Sequence, residues 1–200
     1  MSAHGRSHVH NGHRATLAVL ISGGGRSMVN LHERCEDGTI PAKIGVVLAS
    51  ANVGGVEKAR ALGLPVVVEP GTIRAERLEA LLAPFGVDFI VLAGYLKLLK
   101  LPARFRGRAT NIHPALLPKF GGPGMYGHHV HEAVVAAGER ESGCTVHMVD
   151  DTYDTGPIVL QRRCPVLAGD TPETLAARVF EQELIAYPQA LAALLKERAR

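Results

Sequence analysis

Short apolar runs alternate with amphipathic segments along the first half of the chain. The apolar runs are strand-sized and lie at residues 16–22, 43–50, 65–69 and 87–94. The last of them, VDFIVLAG, is almost wholly apolar, which is typical of a strand covered on both faces. Segments with helical spacing separate the runs, at residues 27–36, 56–62 and 73–82. This alternation predicts an α/β fold with a mostly parallel central sheet and helices on both of its faces.

The second half of the chain is less regular. It contains a strand candidate at 109–112, a loop rich in proline and glycine at 114–127, and a helix that follows to about Ala137. Residues 144–149 and 158–164 alternate in the manner of paired strands. A last helix is expected to begin at Pro172, because Thr171 is a good N-cap and proline suits the first helical position. Proline has no N–H, so Pro188 is expected to break or kink that helix.

Composition and charge exclude several classes of protein. The 200 residues are 46% hydrophobic and 20% charged, enough for a real core, and no apolar run is long enough to span a membrane. The net charge of +3 is too slight and scattered for a nucleic-acid reader. Three cysteines without a CxxC pair indicate a reducing compartment, the cytoplasm, rather than a disulfide framework or a zinc ribbon.

The first fifteen residues differ from the rest of the chain. They hold four histidines and almost no apolar side chain, and they lack the hydrophobic core of a signal peptide. A disordered His-rich extension is therefore expected at residues 1–15, followed by a single domain at 16–200. A metal-binding tract is the alternative, although the histidine spacing is irregular.

The glycine-rich sequence SGGGRS joins the first predicted strand to the first predicted helix. Glycine lets a backbone approach a ligand, and a helix N-terminus presents free N–H groups with a partial positive charge. The dinucleotide fingerprint is incomplete because Met28 stands at its third glycine position, and no GK[ST] follows as in a P-loop. The loop predicts a monophosphate site at which Arg26 and Ser27 add donors. A tight turn that needs glycine only for its backbone angles is the alternative.

A second candidate site combines an amide, an imidazole and a carboxylate. Asn111 and His113 are two positions apart at the end of a strand, so both point to the same side at the carboxyl edge, where ligands of parallel sheets bind. Asp150, Asp151 and Asp154 follow in the loop DDTYDTGP. The Asn amide and a protonated His can stabilise an oxyanion, and a carboxylate can raise the His pKa and relay a proton through water. This set suits acyl transfer without a covalent intermediate; a structural histidine is the alternative.

His128, His129 and His131 show the HxH and HxxH spacings of metal ligands. A metal hydrolase also needs carboxylates nearby, and the only neighbouring one, Glu132, is expected to face elsewhere on a helix. No metal is therefore expected, and these histidines should face solvent or line a substrate cleft.

Four motifs in order resemble the phosphoribosylglycinamide formyltransferase family: SGGGRS, VLAGYLKLL, NIHPALLPKF and TVHMVDDTYDTGPIVLQ. The likeness runs from about Leu17 to Leu191. It implies a Rossmann-like formyltransferase fold and transfer of the formyl group of 10-formyltetrahydrofolate to the amine of glycinamide ribonucleotide, in purine biosynthesis. It also implies small-molecule substrates and no metal, and a monomer or homodimer is expected.

The resemblance assigns roles to individual residues. Asn111, His113 and Asp154 match the catalytic trio, and Asp154 is chosen over its neighbours because it precedes Thr-Gly-Pro. His147 matches a supporting histidine. The residues matched to ligands are Gly25, Arg26 and Ser27 for the ribonucleotide phosphate, Glu183 for the rest of the ribonucleotide, and Arg74, Leu96, Lys97, Leu98 and Leu99 for the folate.

Three departures from the family pattern concern the acceptor. Arg26-Ser27 stands where the family commonly has Ser-Asn or Thr-Asn, the loop after Lys119 is several residues longer, and Phe180 replaces a polar residue that often contacts the nucleotide. Formyltetrahydrofolate hydrolase, or a formyltransferase for an amino sugar or methionyl-tRNA, is the alternative. The hydrolase and the tRNA enzyme usually carry a further domain, for which 200 residues leave no room. A non-catalytic nucleotide-binding module would not need the trio together.

Overall fold

The computed structural model describes residues 14–198, so the extension predicted at 1–15 lies outside the described residues except for Arg14 and Ala15. Ala15 already belongs to the first strand, one residue before the predicted start of the domain. The elements are β1 (Ala15–Ile21), α1 (Arg26–Glu36), β2 (Ala42–Ala49), α2 (Gly54–Ala61), β3 (Val66–Val68), α3 (Ala75–Leu82), β4 (Phe89–Leu92), β5 (Ala109–His113), α4 (His128–Ala136), β6 (Glu141–Met148), β7 (Ile158–Pro165) and α5 (Pro172–Arg198).

The seven strands form one sheet in the order β3-β2-β1-β4-β5-β6-β7. Strands β1 to β5 are parallel, whereas β6 runs antiparallel to both β5 and β7. The predicted α/β fold and the predicted pairing of the last two strands are confirmed. The strand order reverses between β1 and β4, and this places the loops that follow those strands side by side at the carboxyl edge.

Both faces of the sheet are covered, as the apolar composition of its strands requires. On β1 the side chains of Leu17, Val19 and Ile21 join a core that also receives α1 and α5, while Ala18 and Leu20 join a second core completed by α3. All five side chains are fully buried. Because side chains alternate along a strand, one strand packs against helices on both faces of the sheet. None of the helices within 14–198 combines the length and apolar character needed to cross a bilayer.

Of the break or kink predicted at Pro188, the break does not occur, because helix α5 continues through this residue. Proline cannot donate the N–H that the Leu184 carbonyl would accept in a regular helix. The side-chain amide of Asn30, on α1, donates to that carbonyl instead, at 3.0 Å. The neighbouring Tyr187 is almost wholly buried, and its hydroxyl lies 2.9 Å from the Leu92 carbonyl and 3.0 Å from that of Thr110. Tertiary hydrogen bonds thus replace the missing helical one and hold α5 on the sheet.

Candidate active site

A cavity of about 750 Å³ opens at the carboxyl edge, where the strand order reverses. Its walls are the glycine loop after β1, the ends of β4 and β5, the loop before α4, and the first turns of α5. Ser22 joins two of these walls, because its N–H donates to the Gly94 carbonyl at 2.9 Å and its hydroxyl accepts the Leu96 N–H at 3.0 Å. The site predicted from the strand edges is therefore a single, connected space.

The glycine loop forms one end of the cavity, where Gly25, Arg26 and Ser27 all line the wall. Gly25 caps α1 with a φ of 70°, and a Cβ there would lie 2.9 Å from the Cα of Gly55. Glycine is thus required for the turn itself, as the alternative interpretation of the loop held. The same turn points the unpaired N–H groups of the first turn of α1 at the cavity, which is the arrangement that binds anions.

Two side chains of α5 face the glycine loop. The guanidinium carbon of Arg26 lies 3.9 Å from the centroid of the Phe180 ring. Glu183, one turn further along α5, also lines the cavity. Burial raises the pKa of Glu183 to about 7, and the positive charge of Arg26 opposes that rise. This end of the cavity therefore combines an exposed cation with a half-buried carboxyl group that titrates near neutrality.

The predicted trio comes together on the floor of the cavity. His113 Nδ1 lies 3.5 Å from Asp154 Oδ2, and the Asn111 amide nitrogen lies 3.5 Å from Asp154 Oδ1. The Gly122 N–H donates to Asp154 Oδ2 at 2.9 Å. Burial would raise the pKa of Asp154, but hydrogen bonding from His147, the nearby His113 and the Gly122 N–H together lower it. Asp154 is therefore an ionised carboxylate at neutral pH.

The pKa of His113 departs from the prediction. A carboxylate beside the ring was expected to raise it, but burial lowers it more than Asp154 and the Phe120 carbonyl raise it. Only 3% of His113 is exposed, so the charged ring loses most of its hydration. Its Nε2 lies 2.7 Å from the Phe120 carbonyl, an acceptor, and must carry a hydrogen. A proton that charges the ring therefore enters at Nδ1, beside Asp154.

His147 supports the trio from β6, which pairs Asn111 with His147 across the strands. Its Nδ1 donates to the Met148 carbonyl at 2.9 Å, and its Nε2 lies 3.1 Å from the Asn111 amide nitrogen and 3.4 Å from Asp154 Oδ1. This ring, only 3% exposed, fixes the side chains of Asn111 and Asp154 against each other. The structure thus brings all four predicted residues into contact.

Of the five residues predicted to bind the folate, one lines the cavity. Leu96 lines the cavity and is 44% exposed. Arg74, Lys97 and Leu98 lie outside the cavity wall, and Leu99 is buried in the second core. A contact between Leu99 and a ligand would have to use its backbone. The assignment of these five residues stays a prediction.

The three histidines of α4 separate in space. His128 and His131 line the cavity, whereas His129 is outside its wall. Contrary to expectation, Glu132 reaches both exposed histidines, 3.2 Å from His128 Nε2 and 3.1 Å from His129 Nδ1. Burial lowers the pKa of His131 to about 4, so this ring is neutral. Across residues 14–198 no three His, Cys, Asp or Glu side chains are grouped to hold a metal ion.

Several groups at the site were not predicted from the sequence. The Phe120 carbonyl and the Gly122 N–H hold His113 and Asp154 by backbone atoms, which carry no residue signature. Phe120 and Asp154 both have positive φ values, of 56° and 58°. Non-glycine residues in this conformation often mark functional sites, and they cannot be recognised from residue type. The long loop after Lys119 supplies a cavity wall that includes Met125 and Tyr126.

Comparison with known proteins shows which family the chain resembles. The family model for formyl transferases matches residues 15–191. The chain is 43% identical to the chloroplastic phosphoribosylglycinamide formyltransferase of Arabidopsis thaliana, over 96% of this chain and 69% of that protein. It is 45% identical to the chloroplastic phosphoribosylglycinamide formyltransferase of Vigna unguiculata, over 92% of this chain and 62% of that protein. The chain thus spans about two thirds of the length of these plant relatives.

A solved structure extends the likeness to three dimensions. Glycinamide ribonucleotide transformylase 1 from Symbiobacterium toebii superposes with a TM-score of 0.85 and 35% identity, covering 94% of this chain and 90% of that one. Sequence and fold agree that the chain belongs to the phosphoribosylglycinamide formyltransferase family.

Proposed function

We propose that the protein transfers the formyl group of 10-formyltetrahydrofolate to the amine of glycinamide ribonucleotide, giving formylglycinamide ribonucleotide and tetrahydrofolate in purine biosynthesis. The observation that carries the proposal is the meeting of Asn111, His113 and Asp154 on the floor of one cavity. An anion-binding helix N-terminus and an apolar segment at Leu96 flank this floor. The cavity volume of about 750 Å³ lies within the range of ligand pockets.

The acceptor binds with its phosphate at the glycine loop. The N–H groups at the start of α1, the Ser27 hydroxyl and the Arg26 guanidinium provide the donors there. Glu183 faces the same end of the cavity and suits a hydroxyl or amide of the ribonucleotide. These contacts exist before and after the chemical step, so they position the amine rather than stabilise the transition state.

The formyl donor supplies an activated carbonyl carbon. The residues of this chain have two tasks: they stabilise the negative charge that develops on the formyl oxygen, and they handle the proton that the attacking amine gives up. His113 and Asn111 are the donors nearest that position. Because His113 Nε2 donates to the Phe120 carbonyl, the formyl oxygen must replace that carbonyl as its acceptor. Asp154 keeps the ring in place and takes up the amine proton through water. The bond between the formyl carbon and the folate nitrogen then breaks, and the same proton is returned to that nitrogen to give tetrahydrofolate.

The donor uses the apolar part of the cavity wall. Leu96 offers an exposed apolar surface there, and Tyr126 and Tyr153, which also line the cavity, are partly exposed. We keep Arg74, Lys97, Leu98 and Leu99 as further candidate contacts of the folate. We also propose that residues 16–200 act as one domain, without a metal, as a monomer or homodimer in a reducing compartment such as the cytoplasm. The three cysteines, all buried and free, suit such a compartment.

A formyl-transfer assay tests the proposal. Purified protein is mixed with 10-formyltetrahydrofolate and glycinamide ribonucleotide, and tetrahydrofolate release and the formylated product are both measured. Reactions with water alone and with an amino sugar serve as control acceptors. Ribonucleotide-dependent product is the expected result. Equal tetrahydrofolate release without any acceptor would favour a hydrolase, and transfer to the amino sugar alone would contradict the proposed acceptor.

A further inference from the structure

We infer that Phe180 is a positioning residue of the phosphate site, where its ring holds the Arg26 guanidinium in place to bind the phosphate of the acceptor. The inference deepens the proposed function, on which it rests. It also joins two departures from the family pattern, Arg26 in the glycine loop and Phe180 on α5, into one device. Neither substitution alone indicates this role, because the two residues are 154 positions apart.

The register between α1 and α5 brings the pair together. Arg26 and Asn30 are four residues apart on α1, and so are Phe180 and Leu184 on α5. Residues with this spacing share one face of a helix. The Asn30 amide donates to the Leu184 carbonyl at 3.0 Å, one turn below the stacked pair. Since Pro188 leaves that carbonyl without a helical donor, the hydrogen bond ties the two helices at a defined height and sets Arg26 against Phe180.

The stack solves a problem of conformational freedom. Arg26 is exposed at the mouth of the cavity, and an unrestrained arginine side chain loses about 2 kcal/mol of rotamer entropy when it is fixed. At 3.9 Å from the ring centroid, the guanidinium is within cation–π range of Phe180. Stacking uses the face of the guanidinium and leaves its N–H edge free for a bidentate contact with phosphate oxygens. Phe180, which itself lines the cavity, therefore contributes by holding the guanidinium in place.

The chemistry also explains why an apolar residue suits this position. A polar side chain at 180 could contact phosphate directly, but it could not carry a guanidinium on its surface. In this protein the charged donor to the phosphate is Arg26. The Phe180 ring supports that donor, whereas a polar side chain at position 180 would bind the phosphate directly through a neutral hydrogen bond. The site thus accepts a phosphomonoester at the end of the ribose, and its affinity should depend on the phosphate charge.

The experiment measures acceptor binding and turnover in four variants. Arg26→Ala removes the cation, Phe180→Leu removes the ring, Phe180→Tyr keeps it, and the double variant removes both. Arg104→Ala is the matched control, because Arg104 also stacks on a phenylalanine, 4.3 Å from the ring of Phe105, but lies outside the cavity. Calorimetry of glycinamide ribonucleotide without folate gives the dissociation constant, and steady-state assays give KM and kcat. Glycinamide riboside, which lacks the phosphate, is used as the comparison ligand, and melting temperatures confirm folding.

Arg26→Ala should weaken ribonucleotide binding about tenfold, the scale of a lost charge-assisted contact of about 1.4 kcal/mol. Phe180→Leu should weaken it about threefold, which corresponds to an exposed cation–π contact. Phe180→Tyr and Arg104→Ala should bind like the parent protein, and kcat should change less than twofold throughout. The double variant should match Arg26→Ala, because the ring acts only through the guanidinium. Binding of the riboside should be insensitive to all changes.

Three results would overturn the inference: independent, multiplying losses in the double variant, equal losses in Phe180→Leu and Phe180→Tyr, or an effect of Phe180→Leu on the riboside as large as on the ribonucleotide. Failure of the proposed function is a separate result. If no formyl transfer to the ribonucleotide occurs, calorimetry with ribose 5-phosphate and with ribose still measures how Arg26 and Phe180 contribute to phosphate binding. A ring-dependent preference for the phosphorylated sugar would then support the inference, and its absence would refute it.

Discussion

Replacing Asp154 by asparagine should remove the negative charge of the carboxylate on the cavity floor with almost no change in shape. The carboxylate accepts the Gly122 N–H at 2.9 Å, and an asparagine oxygen can keep that hydrogen bond. The lost contact is the electrostatic one with His113, whose Nδ1 lies 3.5 Å from Asp154 Oδ2. Because burial already lowers the pKa of His113, removal of Asp154 leaves only the hydrogen bond to the Phe120 carbonyl to favour the charged ring.

The magnitude follows from the distance. Two unit charges 3.5 Å apart attract by about 1 kcal/mol with water-like screening and by about 5 kcal/mol at an effective dielectric constant of about 20. These limits correspond to losses of roughly tenfold and several thousandfold. An intermediate loss in kcat of roughly 10²-fold or more is expected for Asp154→Asn, the usual scale of a lost acid–base or oxyanion contribution. KM for both substrates should change only a few-fold, because Asp154 acts on the transition state.

The assay compares Asp154→Asn, His113→Ala and their combination with Asp151→Asn as a control. Asp151 lies in the same loop but outside the cavity wall, so its removal tests for a general effect of charge. If His113 and Asp154 act as one unit, the double variant should be little slower than the slower single one. An NMR titration should show the pKa of His113 below its ordinary value, and lower still in Asp154→Asn.

Two outcomes would refute this reasoning. Near-normal turnover in Asp154→Asn would remove the carboxylate from the mechanism. Losses that multiply in the double variant would mean that His113 and Asp154 act independently, whatever their distance in the structure.

Further predictions concern metal, stability and pH. Exhaustive chelation should leave full activity, and a loss that only zinc or magnesium restores would contradict the metal-free mechanism. Asn30→Ala should lower the free energy of unfolding, measured in urea, by about 1–3 kcal/mol, because the Leu184 carbonyl loses its donor. The loss should be clearly smaller in a Pro188→Ala background, where residue 188 has an N–H that can bond this carbonyl. Equal losses in both backgrounds would refute the account. The raised pKa of Glu183, about 7, means that the folded state binds this proton more tightly than the unfolded state does. The free energy of unfolding should therefore fall as the pH rises from about 5 to about 8. Glu183→Gln should flatten that slope, and an unchanged slope would exclude Glu183 as its source.

The order of elements and the position of the site were readable from the sequence for local reasons. A strand that is buried on both faces is apolar throughout. The apolar run at 87–94 therefore indicates a central strand, and β4 indeed pairs with β1 inside the sheet. The alternate spacing of Asn111 and His113 put both at the carboxyl edge, because side chains along a strand alternate by geometry alone. The glycine turn likewise reports a backbone requirement that only glycine meets, as the tight approach of Gly25 to Gly55 shows.

Two of the predictions that failed depended on parts of the chain distant in sequence. The break expected at Pro188 did not occur, since Asn30, on another helix, satisfies the Leu184 carbonyl. The pKa of His113 was expected to rise from its contact with Asp154, but the depth of burial outweighs that contact, and depth is a property of the whole fold.

The sequence by itself determined the fold class, the edge at which the cavity opens and the residue types proposed for catalysis, because these follow from local periodicity and from motifs at strand ends. Only the tertiary structure decided how the site is tuned. The stacking of Arg26 on Phe180 and the carbonyl of Phe120 on His113 depend on helix register and loop path. Desolvation and hydrogen bonding between distant segments act over a few ångströms, and those distances exist only after the chain has folded.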